Sequence, residues 1–488
     1  MLSRFPPEIE GFLRNPWGKS LIIRGSAGSG KTTLALEMME NVFTPQKSVY
    51  LSTRVGDQSI YNQFPWVKES DSKNRIIDAG KRFLRTINPK TNEQKQSEVL
   101  ISGNEVLRSL VNQRPDKVVT YNLDSLGINS AELERTIDSL NLIMKQKPAL
   151  IIDSIEGISR KLGIEEDKMI FALQKDIVEN SGIDLVIVSE SDVEGKLNRL
   201  DYLVDGVITL HKEFIDSRII RNIRLEKMRY TQIESNEYSY TLDGGRFAYI
   251  PPTNYIGTYT YNHETDLQGI VTGINFIDKK IVDVKGKNAI AFNFINIKTD
   301  VAYSLLVPSI VKALKENKGI LYLGDPDKGP METYTFINEA LPLKDYENNI
   351  RIVDLENDVS GKRFIAGLGQ TTKEERMREY MRNIVELSDS TDGILFIEST
   401  RALEKLEGSR ITDEIISRVS SNIRGTKDSL IMMNHDSKLI GTINQIFDIV
   451  VNVERKGNTI LTYGVSPYTQ YYGVYPDVNN TLRMQIIT

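Results

Sequence analysis

The stretch Gly25-Ser26-Ala27-Gly28-Ser29-Gly30-Lys31-Thr32 constrains this chain more than any other. It satisfies G-x-x-x-x-G-K-[ST] in full. Its flanks complete the pattern. Ser20-Leu21-Ile22-Ile23 is a short apolar run suited to a buried parallel strand, and Thr33-Leu34-Ala35-Leu36-Glu37-Met38-Met39 suits a helix. Strand, glycine loop and helix in that order make a phosphate cradle. Glycines let backbone amides turn inward onto phosphate oxygens, and the helix N-terminus adds partial positive charge. Gly25, Ser26, Ala27, Gly28, Ser29, Gly30, Lys31, Thr32 and Thr33 are therefore the expected nucleotide-binding residues. Lys31 is expected to reach the β- and γ-phosphates and Thr32 to ligand Mg²⁺.

Such a loop needs an acid at the end of a second buried strand. Ala149-Leu150-Ile151-Ile152-Asp153-Ser154 supplies Asp153 as the second metal residue. No Asn-Lys-x-Asp guanine-reading motif occurs, which favours ATP over GTP. Composition narrows the partners. A net charge of −5 lacks the global basic field of a dedicated nucleic-acid binder. The chain has no cysteine, which removes disulfides, thiol catalysis and Cys-ligated metals, and three histidines make a His-based metal site a poor reading. No apolar run reaches the roughly 18–20 residues of a membrane span, and the first residues do not read as a signal peptide. The expectation is a cytoplasmic protein without membrane attachment.

Strand-like runs alternate with helical patterns between residues 20 and 212: Ser48–Leu51, Arg75–Ile77, Val118–Thr120, Leu150–Ile152, Leu185–Val188 and Gly206–Leu210. This alternation predicts an α/β domain on a mostly parallel sheet. Ile219–Leu225, Glu237–Leu242 and Phe247–Ile250 read as antiparallel strands, with a hairpin turn at Asp243-Gly244-Gly245. The long charged segment 66–149 reads as solvated helices and loops, with a lid or docking insertion as the alternative.

The second half repeats the first with its chemistry removed. FNFINIKTD at 292–300 aligns with GSAGSGKTT, keeping Lys298 and Thr299 but no glycine. Leu321-Tyr322-Leu323 matches Val49-Tyr50-Leu51, and Phe396-Ile397-Glu398-Ser399 matches Ile151-Ile152-Asp153-Ser154. The shared order predicts a duplicated domain. Without glycines its loop cannot cradle a triphosphate, and Lys298 reads as a surface lysine. The expected layout is residues 1–252 as an ATP-binding domain, 253–269 as a linker and 270–488 as a degenerate copy. Each copy is expected to carry an antiparallel C-terminal extension. The tyrosines at 468, 471, 472 and 475 read as sheet or interface packing, with base stacking as the alternative.

RGSAGSGKTTLALE (24–37), YLSTRVGDQSIYNQFPW (50–66), IIDSIEGIS (151–159), DGVITL (205–210) and EKMRYTQ (226–232) together resemble the RecA superfamily, most closely its KaiC-like branch. The chain is also similar to the archaeal gas-vesicle regulator GvpD group. TGINFID (272–278) looks like the short lead-in that opens KaiC domains. The resemblance implies tandem RecA-like domains assembled as a homo-oligomer, with a hexameric ring as the family expectation. It also implies that Lys227 and Arg229 reach the γ-phosphate of a neighbouring protomer. An arginine fork suits that task. Their equivalents in the second half are Val465 and Pro467.

One departure bears on activity. KaiC-type domains carry paired glutamates after the strand matching Val49–Leu51, where this chain has Ser52-Thr53-Arg54. A general base must lie within reach of the attacking water. Glu156 and Glu190 are the substitutes to weigh, and Arg54 is a candidate phosphate sensor. The leading expectation is a slow ATPase with a regulatory, signal-transducing role and an unidentified protein partner. A DNA-handling ATPase and a nucleotide-gated scaffold are the competitors.

Overall fold

The computed structural model describes residues 4–14, 17–43, 48–69, 76–78, 149–190, 199–253, 278–279, 288–357, 361–369, 372–408, 410, 412–423, 425–476 and 482–488. The expected strand Val118–Thr120, most of segment 66–149, the linker beyond residue 253 and the lead-in through residue 277 lie outside these residues. The chain divides into two compact units, residues 2–250 with 487–488, and residues 251–486.

The first unit runs α1 (Pro7–Leu13), β1 (Ser20–Gly25), α2 (Lys31–Asn41), β2 (Ser48–Ser52), α3 (Asp57–Gln63), α4 (Pro65–Glu69), β3 (Ile76–Asp78), β4 (Ala149–Asp153), α5 (Ile155–Leu162), α6 (Glu166–Leu173), β5 (Asp184–Val188), α7 (Arg199–Leu203), β6 (Gly206–Ile215), β7 (Arg218–Met228), β8 (Glu237–Thr241) and β9 (Ala248–Tyr249). Among the described residues these strands form one sheet ordered β3-β2-β4-β5-β1-β6-β7-β8-β9. It is parallel from β3 to β6 and antiparallel from β6 onward. Strands β1, β2 and β5 are buried along their whole length, which is why they read as continuous apolar runs. Alternation divides them between two cores. Ile23, Tyr50, Ile151 and Val188 pack on α2, while Ile22, Leu150, Ile152 and Ile187 pack with Met169 and Ile170 of α6 on the other face. The turn at Asp243-Gly244-Gly245 joins the antiparallel β8 and β9 as a single 3₁₀ turn.

The second unit runs β10 (Ala289–Ile295), α8 (Thr299–Lys315), β11 (Gly319–Leu323), α9 (Pro330–Ala340), β12 (Ile350–Asp354), β13 (Ile365–Gly367), α10 (Lys373–Ser390), β14 (Ile394–Ser399), α11 (Thr400–Glu407), α12 (Asp413–Ile423), β15 (Ser429–Asn434), α13 (Ile440–Ile446), β16 (Ile449–Lys456), β17 (Thr459–Ser466), β18 (Tyr472–Pro476) and β19 (Leu482–Ile486). Its sheet order is β13-β12-β11-β14-β15-β10-β16-β17-β18-β19. Apart from the added β13, that is the order of the first sheet. The expected tandem α/β, RecA-like architecture is the one observed. Of the C-terminal tyrosines, Tyr471 is buried and meets Tyr463 edge-on at 4.8 Å.

Strand register corrects two of the alignments drawn from sequence. Tyr50 lies opposite Ile151, and Tyr322 lies opposite Ile397. Counting on from these pairs puts Ser399, not Glu398, at the place of Asp153. The faces agree: Tyr322 and Ile397 pack on α8, whereas Glu398 points to the other side and accepts from the Tyr380 hydroxyl at 2.7 Å. A one-residue slip moves a strand side chain to the opposite face. Likewise Leu21 lies opposite Val186 and Ile290 opposite Ile431, neighbours of Ile151 and Ile397, so Phe294 rather than Phe292 stands where Gly25 stands. From these positions the connection to the helix, 295–298, is one residue shorter than 26–30, and exposed Lys298 caps α8 where Gly30 caps α2. The second unit thus lacks the glycine loop, its lysine and the metal carboxylate.

Phe294 stacks on the His435 ring at 5.0 Å, filling this end of the sheet with apolar bulk. Beside it a buried amide ladder crosses four strands. Asn434 donates to Asn293 at 2.9 Å, Asn293 to Asn452 at 2.9 Å, and Asn452 to the Tyr463 hydroxyl at 3.1 Å.

Burial pushes the Glu398 carboxyl up to about 7, against the opposing pull of the Tyr380 hydrogen bond. The folded state therefore holds this proton more tightly than the unfolded chain. The stability it contributes is full below the ordinary carboxyl range and is lost as pH rises through 7. Between about pH 5 and pH 8 the loss is on the order of 3 kcal/mol. Glu398→Gln removes that component. The expected result is a gap in urea midpoint between variant and wild type that widens in the variant's favour from pH 5 to pH 8.

Candidate functional site

The parallel strands of the first unit bring their C-terminal ends to one edge, where α/β sheets bind ligands. β1 delivers the glycine loop there. At Gly25, φ is 148° and an added Cβ would sit 2.3 Å from the Leu210 carbonyl oxygen. At Gly30, the N-cap of α2, φ is 95° and a Cβ would meet Leu242 at 2.8 Å. Neither position accepts a side chain. Lys31 Nζ folds back over the loop and donates to the carbonyls of Gly25 at 2.6 Å and Ser26 at 3.0 Å. Thr33 is buried beneath it.

Thr32 Oγ1 donates to Asp153 Oδ2 at 2.6 Å, and the Tyr50 hydroxyl donates to the same oxygen at 2.5 Å. Burial, reinforced by the Asp153 carboxylate, keeps Tyr50 well above its ordinary pKa, so it remains a donor. The two expected metal residues thus touch. Their hydroxyl and carboxylate are an oxygen-only donor set, the kind a hard divalent cation takes.

Glu156 and Glu190 differ in situation. Glu190 forms an ion pair with Arg54, so neither the candidate base nor the candidate sensor stands open. Glu156 is buried in the first turn of α5. Its Oε1 accepts from Ser189 Oγ and from the Glu190 amide, both at 2.7 Å, and its Oε2 has no hydrogen-bond partner. Thr53, in the place of the missing glutamates, clamps the strand end instead. Its Oγ1 accepts from the Ser154 amide at 2.8 Å and lies so close to α5 that a Cβ on Gly157 would meet it at 2.1 Å.

The loop has a second wall that sequence reasoning missed. Buried Arg221 of β7 donates to the Gly28 carbonyl at 2.9 Å, and the Tyr240 hydroxyl of β8 donates to the Ser29 carbonyl. Lys212 Nζ lies 3.6 Å from where a Gly28 Cβ would be. The only local signal was the alternation that puts Tyr238 and Tyr240 on one face of a predicted strand.

Lys227 and Arg229 are not at this edge. Ile223 pairs with Leu210, which pairs with Gly25, whereas Met228 pairs with Gly206. Four residues of β6 separate the two levels, roughly 13 Å of strand, the fifth residue of β7 being taken up by a bulge. Lys227 Nζ instead donates to the carbonyls of Asp201 and Val204, both at 2.7 Å. Burial, then the adjacent Arg229, lowers its pKa. Arg229 reaches Asp205 Oδ1 at 3.3 Å and the Tyr202 carbonyl at 3.5 Å.

Residues 9–226 match the family model described as the GvpD gas vesicle protein, P-loop domain. The chain is 22% identical to Protein GvpD2 of Halobacterium salinarum, over 99% of this chain and 95% of that one. It is 22% identical to Protein GvpD1 of the same organism, over 72% and 62%. It is also 22% identical to the circadian clock oscillator protein KaiC of Thermostichus vulcanus, over 50% and 43%. These matches support a chain of the RecA-like P-loop ATPase kind, similar to GvpD and KaiC. No helix among the described residues is long and apolar enough to cross a membrane.

Arg221 preorganises the loop without touching the chemistry. Arg221→Met is expected to weaken ATP binding roughly tenfold, as loss of about 1.4 kcal/mol of loop order would. Calorimetric titration of wild type and variant checks this.

Proposed function

We propose that the first unit binds ATP with Mg²⁺ and hydrolyses it slowly, in sites completed between copies of the chain. Thr32 and Asp153 hold the metal, and Lys31 leaves the Gly25 and Ser26 carbonyls for the phosphates. Water attacks the γ-phosphorus, the bond to the β,γ-bridging oxygen breaks, and ADP departs. Mg²⁺ held by Thr32 and Asp153 would supply positive charge there, and Lys31 with the neighbour's Lys227 and Arg229 stabilises charge that builds on the transferring phosphoryl group. Glu156 is the base in this reading, because it is the carboxylate with an unpartnered oxygen next to the metal strand.

One observation carries the shared-site reading. The β6–β7 register holds Lys227 and Arg229 at the sheet end opposite their own glycine loop, which supports a role toward a neighbour's phosphate rather than their own. A homo-oligomer, with the hexameric ring as the leading form, follows from that role. The second unit, stripped of loop, lysine and metal carboxylate, then serves assembly or the docking of a protein partner in a regulatory pathway. A nucleotide-gated scaffold is favoured by a different observation: Arg54 and Glu190 neutralise each other beside the site, and Thr53 replaces the usual carboxylates.

ATP turnover per protomer, measured against protein concentration, separates the two. The shared-site reading expects specific activity to rise with concentration and Lys31→Ala to abolish it. Glu156→Gln should cut kcat by about 10² or more with ATP binding retained. ATP binding without turnover above the Lys31→Ala background would leave the scaffold.

A further inference from the structure

Asp205, which opens the DGV segment, is buried and built into the base of the sheet on every side but one. Its amide donates to the Ser20 carbonyl at 3.1 Å and to Ser20 Oγ at 3.0 Å. Its Oδ2 accepts from the Ser20 amide at 3.1 Å, Ser20 Oγ at 3.0 Å and Gln174 Nε2 at 3.4 Å. Its carbonyl accepts from the Arg229 amide at 2.9 Å. The remaining oxygen, Oδ1, faces the Arg229 guanidinium at 3.3 Å. The Arg229 side chain is 46% exposed, against 11% for Asp205.

We infer that Asp205 is a positioning residue for Arg229, holding its guanidinium at a fixed point on the protomer surface. The inference rests on the shared-site reading above. The physical need is plain. An arginine on a free strand end samples many rotamers, and a charge meant for a neighbour's transition state works best when its geometry is set beforehand. Nη1 and Nη2 engage Asp205 and the Tyr202 carbonyl, at most two of the five N–H donors, and the side chain is half exposed. The rest of the fork can meet phosphate oxygens. The anchor is also remote from the chain's own glycine loop, since Ser20 begins the strand that Gly25 ends.

The second unit supplies an internal contrast. Asp448 stands immediately before β16 as Asp205 stands before β6. Val450 pairs with Ser466 as Val207 pairs with Lys227, so Tyr468, not the Pro467 drawn from sequence, stands in place of the arginine. There the aspartate is exposed. The carboxylate is retained in both units, and its burial goes with the arginine.

The test is trans-complementation. Asp205→Asn keeps the shape and removes the charge. It is expected to lower turnover at least tenfold with ATP affinity within twofold of wild type. Mixed with equal Lys31→Ala protomers, which have dead loops but intact Asp205 and Arg229, it should recover activity to the level of an Arg229→Ala and Lys31→Ala mixture. A merely structural role predicts otherwise: the Arg229→Ala mixture recovers and the Asp205→Asn mixture does not. That outcome, or wild-type turnover by Asp205→Asn, overturns the proposal. Failure of the Arg229→Ala mixture to recover, or absence of turnover in the wild type, overturns the shared-site reading and this inference with it. If Asp205→Asn does not fold, Ser20→Ala loosens the carboxylate from behind. It should show a smaller kcat loss with the same recovery in the mixture, and the same failures count against it.

Discussion

The antiparallel ladder between β6 and β7 is the constraint on which the first unit depends. Up to β6 the chain builds strands that all run one way, so every loop with chemistry opens at the same edge. Reversal at residues 216–217 sends the chain back along the sheet. Its first residues pass the glycine loop, where Arg221 braces Gly28, and its last arrive at the far edge with Lys227 and Arg229. One hairpin thus touches both ends of the sheet. Arg24 adds a second tie, bonding Asp201 at 2.9 Å one residue before the loop begins. The carbonyl of that same Asp201 holds Lys227. Strand β1 therefore contacts the cationic turn through Ser20 and through Arg24.

The second unit shows how little of a site survives when its backbone requirements go. Its strand order and core are those of the first unit. Such a core depends on apolar volume in alternation, which many sequences satisfy. A phosphate cradle depends on positive φ and open space at single residues, which few do. Phe294 and His435 occupy what would be that space. The asparagine ladder beside them spans β15, β10, β16 and β17, so that part of the sheet is pinned by paired amides as well as by packing.

Much of this was legible in the sequence. The loop and Asp153 could be placed because each motif is local and its context lies within a few residues. The buried parallel strands announced themselves as apolar runs. What failed was anything requiring face or register. Phe396-Ile397-Glu398-Ser399 matches Ile151-Ile152-Asp153-Ser154 letter for letter in character, and α11 even starts where the match says it should. Yet β14 enters the sheet one residue out of step with that match, and Glu398 faces away. Lys298 misled in the same way, because a shortened loop preserves the Lys-Thr pair while moving the lysine off the helix to its N-cap. Arg221 and Tyr240 were invisible for another reason. Nearly two hundred residues or more separate them from the loop, and nothing in their neighbours marks them as its wall.

The missing loop residue and the misplaced carboxylate in the second unit have an evolutionary consequence. To regain a phosphate cradle, that unit would need a lengthened turn, a glycine at 294, a lysine inside α8 and an acid at 399. A glycine at 294 alone opens a void, and an acid at 399 alone buries an unpaired charge. No single step is rewarded, so the loss works as a ratchet. Once the turn had shortened, the second half was released from the demands of nucleotide chemistry and could drift toward whatever surface selection favoured.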